Sequence, residues 1–194
     1  ILHGEAIDSF EELEAALKAK GINVSQPLGF NNTYALGVSA ETAAMYQLEK
    51  ISDLRKHPLL RFGFTNEFMD REDGWPSLRE HYQLPQSTVR GLDHDLAYKG
   101  LEAGSIDLID LYSTDAEIDY YSLTVLEDDL HHFPDYQSVI LYRADLVDEF
   151  PIISATLGQL SASITEAEMV SMNARVKLEG QAETVVAQDF LRRV

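Results

Sequence analysis

The sequence predicts an α/β fold in which a parallel sheet carries helices on both faces, which makes three layers. Segments typical of strands alternate with segments typical of helices at a regular interval, and such alternation favours parallel sheets over sandwiches or bundles. The chain has 194 residues, of which 45% are hydrophobic, and this is sufficient for a packed core. No internal repeat or low-complexity linker is present, so composition gives no boundary between domains.

The first element is an amphipathic helix that follows Asp8 and Ser9. Apolar residues recur at helical spacing over 10–17, and Gly21 stands where a helix would end. An extended stretch follows, and its second half predicts a buried strand over 34–38. Ser39 then caps a helix, and a short helical turn begins in SDLRK.

The middle of the chain carries the regular alternation. Strands are predicted in RFGFTNEF, STVRGL, IDLIDLYS, LTVLED and SVILYR, and helices in PSLREHYQL, HDLAYKGLEAG, AEIDYYS and the segment that begins with DLVDEF. Two further helices close the chain. The first of them begins at Thr165 with Glu168 three residues later, which is a capping-box pattern.

Composition and charge exclude several classes of function. The chain has 15 Lys and Arg against 33 Asp and Glu, a formal net charge of -18, which repels phosphate backbones and anionic headgroups. We therefore expect no nucleic-acid partner and no binding to a membrane surface. The absence of cysteine excludes a disulfide scaffold, a thiolate metal site and a cysteine nucleophile. No apolar run approaches the length that spans a bilayer.

Aromatic residues beside turns are the first candidates for a ligand site. Tyr34, Trp75, Tyr112 and Tyr136 stand next to turn residues or strand ends, where ligands of open α/β sheets bind. A cluster of tyrosine faces attracts a quaternary ammonium, although a single tyrosine is more often a half-buried packing residue. Arg71, set among acids, is either neutralised by them on the surface or held to grip a ligand carboxylate.

Other polar clusters predict no chemistry. The spacing of Asp128, Asp129, His131 and His132 matches no metal motif, so we predict no metal site and no cofactor. Acid pairs such as Asp107 with Asp110 arise by chance among so many acids, and no nucleophile elbow or phosphate loop is present. The sequence therefore predicts no catalytic residues and no enzyme.

The chain resembles the substrate-binding proteins of ABC importers for osmoprotectants such as glycine betaine, carnitine and choline. The resemblance spans nearly the whole sequence and is carried by PLGFNNTYALGV, ISDL, FGFTNEFMDREDGWPSL, GLDHDLAYKGLEAGSIDLIDLYSTD, LTVLEDDLHHFPDY and ITEAEMVSMNARVKLEG. It implies a type II periplasmic-binding-protein fold, in which two three-layer α/β lobes capture a ligand between them.

The resemblance also implies boundaries and site residues. Lobe II would comprise residues 36–125, and residues 1–35 and 126–194 would belong to lobe I. The ligand would be a small trimethylammonium compound, and a membrane ABC permease would be the partner. The residues implied to bind the ligand are three cage tyrosines (Tyr34, Tyr112 and Tyr136), a carboxylate-binding arginine (Arg71) and, more weakly, Asn32.

Family members also carry an N-terminal segment that contributes a further cage tyrosine. We therefore expect lobe I to be incomplete here, the cage to lack one wall, and the chain to self-associate through uncovered apolar surface. The implied location is periplasmic or extracytoplasmic, through the permease or an anchor outside this sequence. The alternative is the ligand-sensing effector domain of a bacterial transcription regulator, since one fold serves several functions.

Overall fold

A computed structural model describes residues 9–194. The strands are β1 (Ile22–Val24), β2 (Tyr34–Ser39), β3 (Phe62–Thr65), β4 (Val89–Leu92), β5 (Leu108–Tyr112), β6 (Leu123–Leu126) and β7 (Leu141–Arg143). The helices are α1 (Phe10–Lys18), α2 (Ala40–Tyr46), α3 (Asn66–Asp70), α4 (Trp75–Tyr82), α5 (His94–Glu102), α6 (Glu117–Tyr120), α7 (Asp145–Glu149), α8 (Ile152–Gln159), α9 (Glu166–Lys177) and α10 (Glu183–Leu191), with a 3-10 helix over Ile51–Lys56.

Within the described residues, β2 to β6 form a five-stranded sheet in the order β4-β3-β5-β2-β6. Strands β3, β4 and β5 are parallel, but β2 runs antiparallel to both β5 and β6. The sheet is therefore mixed, and the expectation of a purely parallel sheet is wrong for β2. The physical reason is that no helical crossover within the sheet precedes β2; the chain enters this strand from the β1 side of the molecule.

Helices pack on both faces of this sheet and bury alternate residues of its strands, as a three-layer arrangement requires. On one face Phe62, Phe64 and Leu108 pack with Trp75 of α4, and on the other Ile109 packs among residues of α5. Trp75 is only 6% exposed and packs against the rings of Phe62 and Phe64 in this core.

A second, two-stranded sheet pairs β1 with β7, and α1 and α7 pack against it. Two segments connect it to the five-stranded sheet, residues 25–33 before β2 and residues 127–140 after β6. They lie side by side: Ser25 and Leu28 donate backbone hydrogen bonds to Ile140 and Ser138, and Asn31 bridges Gln137. Two chain segments thus join the two sheets in the described residues.

Helix ends follow the sequence signals. The Ser9 hydroxyl accepts from the Glu12 backbone at the start of α1, and Thr165 and Glu168 form the expected capping box at the start of α9. All five strand segments predicted in the middle of the chain are longer than the strands observed, and two of them differ most in proportion to their length. RFGFTNEF turns into α3 after Thr65, whose hydroxyl caps that helix, and SVILYR is a strand only at its last three residues.

None of the helices in residues 9–194 has the length and apolar character needed to cross a bilayer.

Candidate ligand-binding site

Two tyrosines meet at one edge of the five-stranded sheet. Tyr34 begins β2 and Tyr112 ends β5, and the antiparallel register sets them directly opposite each other. Their ring centroids are 4.8 Å apart and their hydroxyl oxygens are 3.0 Å apart. Burial and the hydrogen bond to Tyr112 raise the pKa of Tyr34 above its usual range, so Tyr34 presents an uncharged aromatic ring.

The reversed direction of β2 produces this meeting. In a parallel strand, the first residue would lie at the edge opposite to the carboxyl ends of β3, β4 and β5. Because β2 runs the other way, Tyr34 lies at the edge where those strands end. This is the edge at which open α/β sheets bind ligands.

Two phenylalanines extend the aromatic cluster around Tyr34. Phe68 of α3 lies 5.1 Å from the Tyr34 ring centroid, and Phe133, which follows β6, lies 6.4 Å from it. Phe68 is fully buried and packs against the ring of Tyr34 from the core side. The sequence reasoning did not name either residue, since Phe68 stands in an apolar pattern typical of core.

Arg71 lies over the ring of Tyr34, with its Cζ 5.4 Å from the ring centroid, which is within cation–π range. The same guanidinium grips Asp73 with two hydrogen bonds, from Nε to Oδ1 at 2.7 Å and from Nη2 to Oδ2 at 2.8 Å. The Arg71 hydrogen bond lowers the pKa of Asp73 to about 2. In this structure the arginine fork therefore already holds a carboxylate, although the Arg71 side chain is 46% exposed.

A tight turn presents this arginine. Residues 71–74 connect α3 to α4, and the Gly74 amide donates to the Arg71 carbonyl. A Cβ at position 74 would lie only 2.0 Å from the Phe68 carbonyl oxygen, so the turn requires glycine. We call residues 71–74 the Arg71 loop.

Tyr136 joins this group through Arg71 and Asp73, and no ring contact to the paired tyrosines is present among the described residues. Its hydroxyl donates to Asp73 Oδ2 at 2.5 Å and accepts from Arg71 Nη2 at 3.4 Å. Tyr136 belongs to the connecting segment 127–140, so this contact ties that segment to the Arg71 loop. A cleft of about 430 Å³ lies here, lined in part by Arg71, Asp73, Pro134 and Tyr136.

Asn32 lies on the other connecting segment. Its amide oxygen accepts from the Thr114 hydroxyl at 2.7 Å, and its backbone amide donates to the Tyr136 carbonyl. It is exposed and bridges the two connections next to the site. The structure therefore places all five predicted site residues close together. Tyr34 contacts both Tyr112 and Arg71, and Arg71 in turn contacts Tyr136.

Beyond Tyr112, a second cleft of about 260 Å³ opens at the carboxyl ends of β3, β4 and β5. His94, at the start of α5, lines it with its ring centroid 5.8 Å from that of Tyr112. Asp115 lies 3.3 Å from His94 Nε2 and raises the pKa of the imidazole. Sequence reasoning missed His94, although its place just after a predicted strand is a signal for a site residue.

Acidic residues that could suggest catalysis have structural partners instead. The Asp110 carboxylate accepts from the Thr65 backbone amide at 2.6 Å and from its hydroxyl at 2.7 Å, and burial raises its pKa. Asp107 forms an ion pair with Arg61. The two acids therefore brace the sheet separately and do not form a pair.

The segment 128–132 is likewise committed to packing. Asp128 accepts from the Tyr82 hydroxyl and from the backbone amides of His132 and Phe133. Asp129 accepts from Ser52. In the part of the chain that the structure describes, no three His, Asp or Glu side chains cluster as metal ligands.

A larger cleft of about 540 Å³ lies between α9, α10 and residues 115–117, and no tyrosine is among the described residues that line it. It is lined mainly by apolar side chains, among them Met172, Val186 and Phe190, and we call it the apolar groove. One of its edges carries the ion pair of Glu117 with Lys177, and Glu117 Oε2 is buried without a partner. The groove lacks the tyrosine faces of the candidate site.

Comparison with known proteins identifies the fold as that of type II periplasmic binding proteins, a class that captures small ligands. A solved structure of a glycine betaine/carnitine/choline ABC transporter superposes with a TM-score of 0.86 at 33% identity, covering 99% of this chain and 73% of that chain. Residues 6–193 match the family described as the substrate binding domain of ABC-type glycine betaine transport systems. The chain belongs to this family, which is one of substrate-binding proteins.

Two curated relatives illustrate the range of the family. The chain is 36% identical over 168 residues to the ergothioneine transport permease/ergothioneine binding protein EgtU of Helicobacter pylori, covering 86% of this chain and 30% of that protein. It is 32% identical over 197 residues to the carnitine transport binding protein OpuCC of Listeria monocytogenes, covering 97% of this chain and 64% of that protein. The chain thus spans less than two thirds of the length of either relative.

Proposed function

We propose that this protein is the substrate-binding component of an ABC importer and that it captures a quaternary-ammonium compatible solute. The observation that carries the proposal is the contact of Tyr34 with Tyr112 at the ligand-binding edge of the sheet. A cation–π pair, formed here by Arg71 over Tyr34, marks that edge as a place where a cation is stable.

The chemistry of the ligand follows from these faces. A trimethylammonium group donates no hydrogen bonds, so aromatic rings can replace its water at small cost. Each ring contributes about 0.5 to 2 kcal/mol, depending on how completely water is excluded. Tyr34 and Tyr112 would provide two faces, and Tyr136 a third after a small movement of its connecting segment.

Arg71 favours a ligand that also carries a carboxylate. Its planar fork matches a carboxylate with two parallel hydrogen bonds, and its contact with Asp73 has that geometry. Glycine betaine, carnitine and ergothioneine each combine a trimethylammonium group with a carboxylate, whereas choline has no carboxylate. Asn32 would add a polar contact from the connecting segments.

The two sheets suggest how capture would work. We propose that residues 36–125 form one lobe and that residues 1–35 and 126–194 belong to the other, with segments 25–33 and 127–140 as the hinge. Tyr136, on the hinge, contacts the Arg71 loop of the first lobe. Closure over a ligand would be the signal that a membrane permease reads, and this role places the protein outside the cytoplasm.

Calorimetric titration of the full-length protein with glycine betaine, carnitine, choline and ergothioneine tests this proposal. Glycine is the matched control ligand, since it retains the carboxylate and an ammonium but lacks the methyl groups. The proposal expects binding of at least one trimethylammonium ligand and none of glycine. Failure of all four ligands, or equal binding of glycine and glycine betaine, would contradict it.

A further inference from the structure

The Arg71 loop carries a cation, Arg71, and a carboxylate, Asp73, which are the two kinds of charged group that a betaine also carries. The guanidinium of Arg71 covers the Tyr34 ring at 5.4 Å, where the proposed ligand would place its cation. The carboxylate of Asp73 accepts from Arg71 Nε and Nη2 at 2.7 and 2.8 Å, where that ligand would place its carboxylate. The side chains of the Arg71 loop thus occupy both proposed contacts.

We infer that Asp73 is a specificity-determining residue, because it competes with the ligand carboxylate for the Arg71 fork. This inference rests on the proposed function and adds a residue that sets the preference between ligands with and without a carboxylate. Binding of a betaine would exchange one carboxylate for another on Arg71, whereas choline, whose cation also needs the Tyr34 face, would bring no carboxylate to compete with Asp73.

Exposure and partners of the pair make this exchange feasible. The side chains of Arg71 and Asp73 are 46% and 24% exposed, and both lie in a turn, so neither is fixed by core packing. The Tyr136 hydroxyl also donates to Asp73, so Asp73 would retain a partner after Arg71 left it. The low pKa of Asp73, caused first by its hydrogen bond from Arg71, keeps the competing carboxylate charged at neutral pH.

The opposite role is physically possible and predicts the opposite sign. If Asp73 positions Arg71 for the ligand, then removal of its charge weakens betaine binding. If Asp73 competes, removal of its charge strengthens it. The sign of the change therefore decides between competition and positioning.

The test compares wild type with Asp73→Asn by calorimetric titration with glycine betaine, carnitine and choline. Asparagine keeps the size of the side chain and the Tyr136 contact but holds Arg71 less firmly. We expect about two- to fivefold tighter binding of glycine betaine and carnitine, the range that a partly exposed ion pair supplies. Choline affinity should change less than about twofold.

Glu72→Gln is the matched control, since it removes the same charge from the same turn but from a side chain that forms no hydrogen bond or ion pair with Arg71 among the described contacts. It should shift the affinities for betaine and choline by the same factor. Asp73→Ala serves as a second variant, expected to act in the same direction, and thermal melts of each variant report folding.

An unchanged or lowered preference for betaine over choline in Asp73→Asn would overturn the inference while leaving the proposed function intact. If wild type and all three variants bind none of the ligands, the proposed function fails and the inference fails with it.

Discussion

Replacement of Tyr112 separates a ligand-binding role from a packing role. Tyr112→Phe keeps the ring but removes the hydroxyl that lies 3.0 Å from that of Tyr34. Tyr34 is 4% exposed, so its hydroxyl would lose a buried hydrogen bond, at a cost of about 1 kcal/mol in the free energy of unfolding. Because the aromatic face remains, the affinity for trimethylammonium ligands should change by less than about twofold.

Tyr112→Leu removes the aromatic ring that would contact the ligand cation. Tyr112 is half-buried, so the lost cation–π contribution should be about 1 kcal/mol, or about fivefold in Kd. The loss should be equal for glycine betaine and choline, since both present the same trimethylammonium group to this ring.

The assay is calorimetric titration of both variants with both ligands, together with urea unfolding. Tyr46→Leu is the matched control, because Tyr46 lies at the end of α2 and is 36% exposed; it should leave both affinities unchanged. Full affinity in Tyr112→Leu would refute the cage and leave Tyr112 as a packing residue.

Three further predictions follow from the same geometry. Arg71→Ala should weaken glycine betaine about tenfold and choline less than about twofold, with Arg71→Lys intermediate; equal losses in titrations would make Arg71 structural. Because Asp115 raises the pKa of His94, their pair stabilises the fold fully below about pH 6.5, and this contribution is lost as pH rises through the raised pKa. Urea unfolding across pH should show that fall in wild type and not in His94→Asn; identical profiles would contradict it. The apolar groove should promote self-association, which Leu191→Ser should reduce in light scattering, since Leu191 lines the groove and is 55% exposed; a monomer at every concentration would contradict this expectation.

Much of the fold was accessible from local patterns. Hydrophobic periodicity and caps predicted most helices and strands, since those signals depend on neighbours in sequence, as Ser9 and Thr165 illustrate. The direction of β2 was not accessible, because strand direction depends on where the chain enters the sheet. A purely parallel sheet would have separated Tyr34 from Tyr112.

The candidate site was accessible in part. Resemblance supplied Tyr34, Arg71, Tyr112 and Tyr136, but it could not show that Asp73 occupies the fork of Arg71. From the sequence it was open whether neighbouring acids neutralise Arg71, and in the structure Asp73 does so through two hydrogen bonds. His94 was missed because a single histidine at a helix start carries no spacing signal, and only the fold brings it beside Tyr112.

The most direct test of the central claim is the position of the quaternary nitrogen in a crystal structure of the protein bound to glycine betaine. The account predicts that this nitrogen lies within about 6 Å of the ring centroids of both Tyr34 and Tyr112, with the ligand carboxylate on Arg71. A ligand bound elsewhere, such as in the apolar groove between α9 and α10, would contradict it.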